Sequence, residues 1–334
     1  MFLRKILPVA LGCAALLTAN IASAQSSSPL VLVLEKDDQS LAIVDSSTLK
    51  ILGRAPAGED PHEVVASPDG RFAYISNYGA FHNPQHTISV VDLVERKALP
   101  PIDLGALLAP HGLQMMNGKV YFTAEGSKAI GSYDPANHSI HWILGLGQNR
   151  THMLVVRDAG DSIFTSNVNS NTISILVRDP SADASGWNQA VIPVGKGPEG
   201  FDVSPDGKEL WAANSHEGTV SVIDIPDRKV TQTFAVHTKM ANRLKFTPDG
   251  ELVLISDLGT GDLVILNAAT RQEVKRINLG RGAAGILIEP GGARAYVAIS
   301  PDSAIAVIDL HTLAVTGRIS TGKGPDGMAW VVRR

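Results

Sequence analysis

Apolar and polar residues alternate in short runs along most of the chain, and each run is followed by a turn signal. Val64 and Ala66, or Phe201 and Val203, sit two apart, the period of a strand buried on one or both faces. Asp69-Gly70, Asp206-Gly207 and Asp249-Gly250 come next, dipeptides that tolerate the positive φ of a tight hairpin. A second run (FAYISN, ELWAAN, LVLISD) leads to a third that closes on Asp45, Asp92, Asp224 or Asp309, with Asp134 and Asn267 in equivalent places. A short Asx side chain there can bond backbone two residues on and set the following turn.

This unit repeats. PHEVVASPDGRFAYISN from Pro61 returns as PHGLQMMNGKVYFTAE, THMLVVRDAGDSIFTSN, PEGFDVSPDGKELWAAN, ANRLKFTPDGELVLISD, AAGILIEPGGARAYVAI and PDGMAWVV. Its second residue marks the register: His62, His111, His152, Glu199, Asn242, Ala284 and Asp326, spaced 41 to 49 residues apart, the period of a four-stranded propeller blade. The chain begins with LVLVLE and LAIVD, a second and third strand lacking a first, and ends with MAWVV, a first strand lacking its followers. Joining them closes the ring and removes two sheet edges. The expected fold is therefore all-β, a seven-bladed β-propeller over residues 30–334 whose last blade is shared by the two termini, preceded by a short spacer at 25–29.

Residues Met1 to Ala24 read as a secretory signal: Arg4 and Lys5, an apolar stretch from Ile6 to Leu17, and Ala22-Ser23-Ala24 before Gln25. The expected location is the periplasm or the exterior, with no transmembrane span. Cys13, the only cysteine, lies inside this segment, so cleavage leaves no thiol for disulfide or nucleophilic chemistry; lipidation at Cys13 is the lesser alternative. The net charge of −4 becomes −6 once Arg4 and Lys5 are lost, a balance with no global field favouring nucleic acid. The expected state is a monomer.

YISN (Tyr74 to Asn77), WAAN (Trp211 to Asn214) and FTSN (Phe164 to Asn167), with the SPDG turn, resemble the YVTN family of β-propellers. That resemblance implies the propeller fold and a range of roles: exported binding modules, lactonase-like enzymes, surface proteins and partners in redox systems. PHEVVASPDGRFAYISNYG, from Pro61 to Gly79, and NRTHMLVV, from Asn149, are similar to stretches of the lactonase-like branch related to 6-phosphogluconolactonase. Arg150 here stands two residues before His152, where that branch has an adjacent Arg-His pair.

Propeller connectivity sorts side chains by face. The marker lies where the chain enters the innermost strand, and the loop between second and third strands returns to the same face. His62, His111, His152, His82, His86, His216 and His237 fall on this funnel face; His138, His141 and His311 do not. Inner strands converge, so His62, His111, His152 and Glu199 should meet at the channel mouth. Three imidazoles and a carboxylate suit a divalent transition metal such as Zn or Cu. The same register equally describes a polar ligand funnel without metal, or histidines with a purely structural role. Asn242, Asp326 and Arg281 complete the candidate ligand set. The GAFHNPQH insertion carrying His82 and His86 is either a lid over the funnel or a solvated loop.

Lys196, Lys239, Arg281 and Lys323 stand three residues before their markers, suggesting a basic side to the funnel and a small anionic or polar metabolite as ligand. Asn77, Asn167, Asn214 and Asp257 end second strands and read as structural, whereas Glu35 and Glu125 are carboxylates that no turn requires. No Gly-x-Ser-x-Gly elbow, Walker loop, His-Glu-x-x-His helix, Cys-x-x-Cys-His site or dinucleotide-binding βαβ fingerprint occurs. Three functions fit: a binder of a small polar ligand or metal ion at the mouth; a lactonase-like hydrolase with His152 or His62 as base and Arg150 or Arg243 steadying the oxyanion; and a scaffold that presents its rim to a protein partner.

Overall fold

The computed structural model describes residues 28–80, 82–181 and 186–333. The signal segment and Cys13 lie outside the described residues. The alternating runs form strands whose middle members are apolar on both faces. Leu30–Glu35, for example, has all six side chains buried, because each sheet packs face to face against two neighbours. Outer strands such as Ser139–Gly145 and Ile51–Pro56 for the most part only half-bury every second residue and keep their other face in water.

The strands form seven antiparallel sheets of four. Innermost strands, taken around the ring, are Pro61–Ala66, Pro110–Met116, Thr151–Arg157, Pro198–Val203, Ala241–Phe246, Ala283–Ile288 and Pro325–Val331. Each packs on the next, and the last packs on the first. Pro325–Val331 pairs with Leu30–Glu35 from the other end of the chain, Leu30 opposite Val331 and Val33 opposite Met328. The expected seven-bladed propeller with a terminus-shared blade is what the chain forms. No helix among the described residues is long and apolar enough to cross a membrane.

The turns form as their residues dictate. Gly70, Gly207 and Gly250 have φ of +70°, +75° and +76°, and Asp69, Asp206 and Asp249 each accept the preceding Ser or Thr hydroxyl. Asp45, Asp92 and Asp309 accept backbone N–H groups two and three residues on. Between blades the core is large and apolar: fully buried Trp211 meets Phe234 and Phe246 edge-on at 5.7 and 5.4 Å, and the Arg271 guanidinium lies 4.7 Å above its ring.

Candidate functional site

Every marker residue is the second residue of an innermost strand. In each blade the register between innermost and second strands slips there, as between Pro61 and Val64, Pro110 and Leu113, or Thr151 and Leu154. A bulge frees residues from the ladder and re-aims their side chains. It also leaves backbone groups without ladder partners, and hydroxyls on the second strands take them up. Ser76 accepts from Glu63 N at 3.1 Å and donates to His111 O in the next blade at 2.7 Å. Thr123 does the same for Gly112 N and His152 O, Ser166 for Met153 N and Glu199 O, and Ser256 for Arg243 N and Ala284 O. In four of the seven blades one hydroxyl thus stitches its own innermost strand to its neighbour's and helps fix where the marker points.

The markers meet as a stack. His62 and His111 rings are 4.5 Å apart, and His111 and His152 rings 3.8 Å, both tilted. Tyr78 closes against His62 at 4.8 Å and His111 at 5.6 Å. These rings, with Lys36, Arg150, Glu199, Asn242, Arg243 and Asp326, wall a cavity of about 560 Å³ at the channel mouth. His62, His111, His152, Glu199, Asn242 and Asp326 are therefore brought together, and Arg150 and Arg243 join them. Arg281 is not: it lies exposed on the rim, bound to Asp302 at 2.6 Å. Lys196, Lys239 and Lys323 are also exposed and do not line the cavity. The basic side of the face is a rim feature, because three residues before the marker the loop is still outside the channel.

His152 is held by Glu125, whose Oε1 accepts from Nδ1; Oε2 of the same carboxylate takes the Tyr78 hydroxyl at 2.6 Å and faces Arg150 Nε at 3.7 Å. A carboxylate can only accept, so the Nδ1 proton is assigned and Nε2 presents a lone pair to the cavity in the neutral ring. Burial alone would raise the Glu125 pKa, but His152, Tyr78 and Arg150 together carry it below the ordinary carboxylate value. His111 is pushed well below an ordinary histidine, first by burial, then by His152, His62 and the cations Arg243 and Lys36, so its ring is neutral at pH 7.

His62 donates through Nε2 to Asp60 at 3.0 Å and receives Lys36 at Nδ1 at 3.3 Å. Lys36 Nζ also lies 3.6 Å from Asp60 and 3.5 Å from Asp326 Oδ2. The floor is an ion pair across the channel: Arg243, 5% exposed, reaches Glu63 of a non-adjacent blade at 2.5 Å. Burial opposes the Arg243 charge, while Glu63, Asp326 and Glu199 more than restore it. Gly112, Gly200, Gly285 and Gly327 hold the same position as Glu63 and Arg243 in other blades; a Cβ on Gly200 would stand 2.6 Å from Arg243 Cα, and one on Gly327 2.2 Å from His62 O. The glycines are where neighbouring innermost strands touch, leaving the pair room to cross.

Among the described residues no three His, Cys, Asp or Glu side chains are arranged to hold a metal ion. The imidazoles pack ring against ring at interplanar angles of 43° and 38°, and His152 Nδ1 is committed to Glu125, so the donor set expected from His62, His111, His152 and Glu199 does not converge on one point as folded. Lys36, Tyr78 and Glu63 escaped the sequence reading. Lys36 comes from the short helical turn after the strand Leu30–Glu35, and Tyr78 from the hairpin Phe72–Ala80/Asn83–Asp92, whose pairing runs on to Ala80 opposite Asn83 after a register shift at Tyr78, between Asn77 and Gly79. Glu125 was singled out and belongs to the site; Glu35 is structural, fully buried against Arg54, Ser40 and Gly322 N.

No family model matches the chain, and no curated relative does. Solved structures match it over nearly their whole length. A protein of unknown function from Desulfotomaculum acetoxidans aligns with a TM-score of 0.76 and 13% identity, over 92% of this chain and 100% of that one. A proposed 6-phosphogluconolactonase from Bacteroides fragilis aligns at 0.76 and 19%, over 92% and 99%. Hydrazine synthase from Kuenenia stuttgartiensis aligns at 0.72 and 18%, over 89% and 99%. At these identities the likeness is one of fold: the chain is of the β-propeller class, with lactonase-like propellers among its structural neighbours.

Proposed function

We propose that this chain is an exported β-propeller that binds a small polar ligand at the channel mouth. One observation carries the reading. His111 Nδ1, His152 Nε2 and Asp326 Oδ1 are buried without a hydrogen-bond partner, and all three residues wall the same cavity. A buried polar atom left unpaired costs about 1–3 kcal/mol, so three at one place describe a site awaiting ligand atoms or water. The cavity volume falls in the range of small-molecule sites.

Ring ¹⁵N resonances of His111 and His152, followed while amines, polyols and sugar acids are titrated in turn, test the proposal. Binding at the mouth shifts both rings together and saturates. No shift with any probe overturns it. Export is tested separately by sequencing the N-terminus of the secreted product, expected to begin at Gln25.

A second reading, a lactonase-like hydrolase, is favoured by the Glu125–His152 pair and by proposed 6-phosphogluconolactonases among the fold neighbours. With Nδ1–H fixed on Glu125, His152 Nε2 could take a proton from attacking water. Arg150, 37% exposed at the mouth, is placed to steady a developing oxyanion. Arg243 is less free for that part, since Glu63 and Asn242 already occupy its guanidinium. Hydrolysis of glucono-δ-lactone with a pH profile lost in Glu125→Gln would favour this reading; binding without turnover would reject it.

A further inference from the structure

The ligand's chemical class can be read from which groups at the mouth are matched and which are not. This step rests on the proposal that the mouth binds a small ligand. Most fixed donors are already occupied. Lys36 serves His62, Asp60 and Asp326. Arg150 faces Glu125, and Arg243 grips Glu63 and Asn242. Asn242 Nδ2 donates to Glu199 at 3.2 Å, and the Tyr78 hydroxyl donates to Glu125.

The unmatched atoms lean the other way. Asp326 Oδ1 is a carboxylate oxygen and can only accept. His152 Nε2, the acceptor end of the neutral ring whose Nδ1–H is held by Glu125, stands 3.6 Å from Glu199 Oε1 without a hydrogen bond to it. His111 Nδ1, the third, belongs to a neutral ring that accepts at one nitrogen. Asp326 is 8% exposed and the two histidines 2% each, so bulk water does not satisfy them freely.

Charge agrees. Three cations, Lys36, Arg150 and Arg243, face six carboxylates: Asp37, Glu199 and Asp326 in the wall, and Asp60, Glu63 and Glu125 bonded directly behind it. Even with His62 and His152 counted as cations beside a neutral His111, six carboxylates outnumber five positive groups, so the mouth carries an excess of negative charge in a partly desolvated setting, where unlike charge is strongly favoured. The Tyr78 ring adds a π face beside the stack, a surface that attracts ammonium groups.

We infer that the mouth takes a small aliphatic ammonium ligand, its N–H groups donating to Asp326 Oδ1 and His152 Nε2. This departs from the anionic metabolite suggested by Lys196, Lys239, Arg281 and Lys323, because those residues stand on the rim and the cavity cations are already neutralised.

The test uses isothermal titration calorimetry of the full chain with three probes of one carbon length: 1,4-diaminobutane, erythritol and succinate. The diamine is expected to bind saturably, and Asp326→Asn and Glu199→Gln, each checked for an unchanged melting temperature at pH 7, are expected to weaken it at least about tenfold, 1.4 kcal/mol. Asp37→Asn, on the more open side of the wall, serves as the second carboxylate variant should either fail to fold. Succinate or erythritol binding as tightly as the diamine overturns the ammonium inference while leaving a polar-ligand mouth standing. Diamine binding indifferent to all the variants overturns it as well. No binding by any of the three probes overturns both.

Discussion

The two ends of the central channel are built by the same seven innermost strands, yet they differ in hydrogen-bond completeness. At the funnel end His111, His152 and Asp326 keep unpartnered buried atoms. At the opposite end a vestibule of about 610 Å³ is walled by Val64, Met115, Leu154, Phe246, Ile288 and Trp330, and its polar members are matched. Gln114 exchanges two hydrogen bonds with the Val156 backbone, and Asp202 takes Phe246 N and faces Lys245 at 3.8 Å. None of the residues walling the vestibule has an unpartnered buried polar atom among the described residues. The Arg243–Glu63 pair separates the two ends. Stability asks for saturation, which the vestibule has; a site for something else leaves valences open, as the mouth does.

The sharpest way to break that contrast is to remove the floor between the two ends. Glu63→Ala leaves Arg243 buried without its directly bonded carboxylate and is expected to cost about 3–5 kcal/mol, read from denaturant midpoints. The double variant Glu63→Leu/Arg243→Met should recover most of it. A loss under about 1 kcal/mol for the single change would show that the pair is not a desolvated floor.

Next in size is the stitch that fixes the stack. Thr123→Val strips partners from Gly112 N and His152 O and should cost about 1–3 kcal/mol. The ring resonances of His152 should broaden or shift while those of His138, on the far face, stay put.

The pH dependence sharpens the comparison because it belongs to the mouth alone. The folded state opposes protonation of His111, whereas the unfolded chain takes that proton below its ordinary value of 6.5. The unfolded state thus binds more protons there, so the contribution of His111 to stability is complete above pH 6.5 and falls as pH drops below it. The slope is at most about 1.4 kcal/mol per pH unit for this one group. The stability difference between wild type and His111→Gln should narrow from pH 7.5 to 5.5; a constant difference would mean that His111 titrates normally.

The smallest effect is expected on the rim. Arg281→Ala and Lys323→Ala should change stability by no more than about 0.5 kcal/mol and leave ligand shifts at His111 and His152 as they were. A strong loss of those shifts would restore the basic rim to the binding surface.

Much of the fold was legible because it is written in local chemistry. Asp-Gly turns, Asx strand ends and a marker near the start of each innermost strand need only nearby residues to form, and their repetition gave seven blades and a shared closing blade. The same register brought His62, His111, His152, Glu199, Asn242 and Asp326 to one mouth. Asn77, Asn167 and Asn214 proved structural for a reason the sequence also held, each binding the Thr-x-Ser hydroxyls of the third strand. Arg281 was misplaced because register gives a side chain's height along the channel and not its distance from the axis.

What the sequence by itself determined was the periodic part: strands, turns, blade number, closure and the face on which each marker stands. Only the tertiary structure decided how the seven markers treat one another. That the imidazoles stack instead of converging, that Glu125 claims one nitrogen of His152, that Lys36 arrives from a turn at the far end of the chain, and that Arg243 crosses the channel to Glu63 all depend on distances between blades. Those distances are set by bulges, stitching hydroxyls and glycines at strand contacts, and they act between residues far apart in the chain, 180 positions for Arg243 and Glu63. No period along the chain encodes which donor meets which acceptor once the ring has closed.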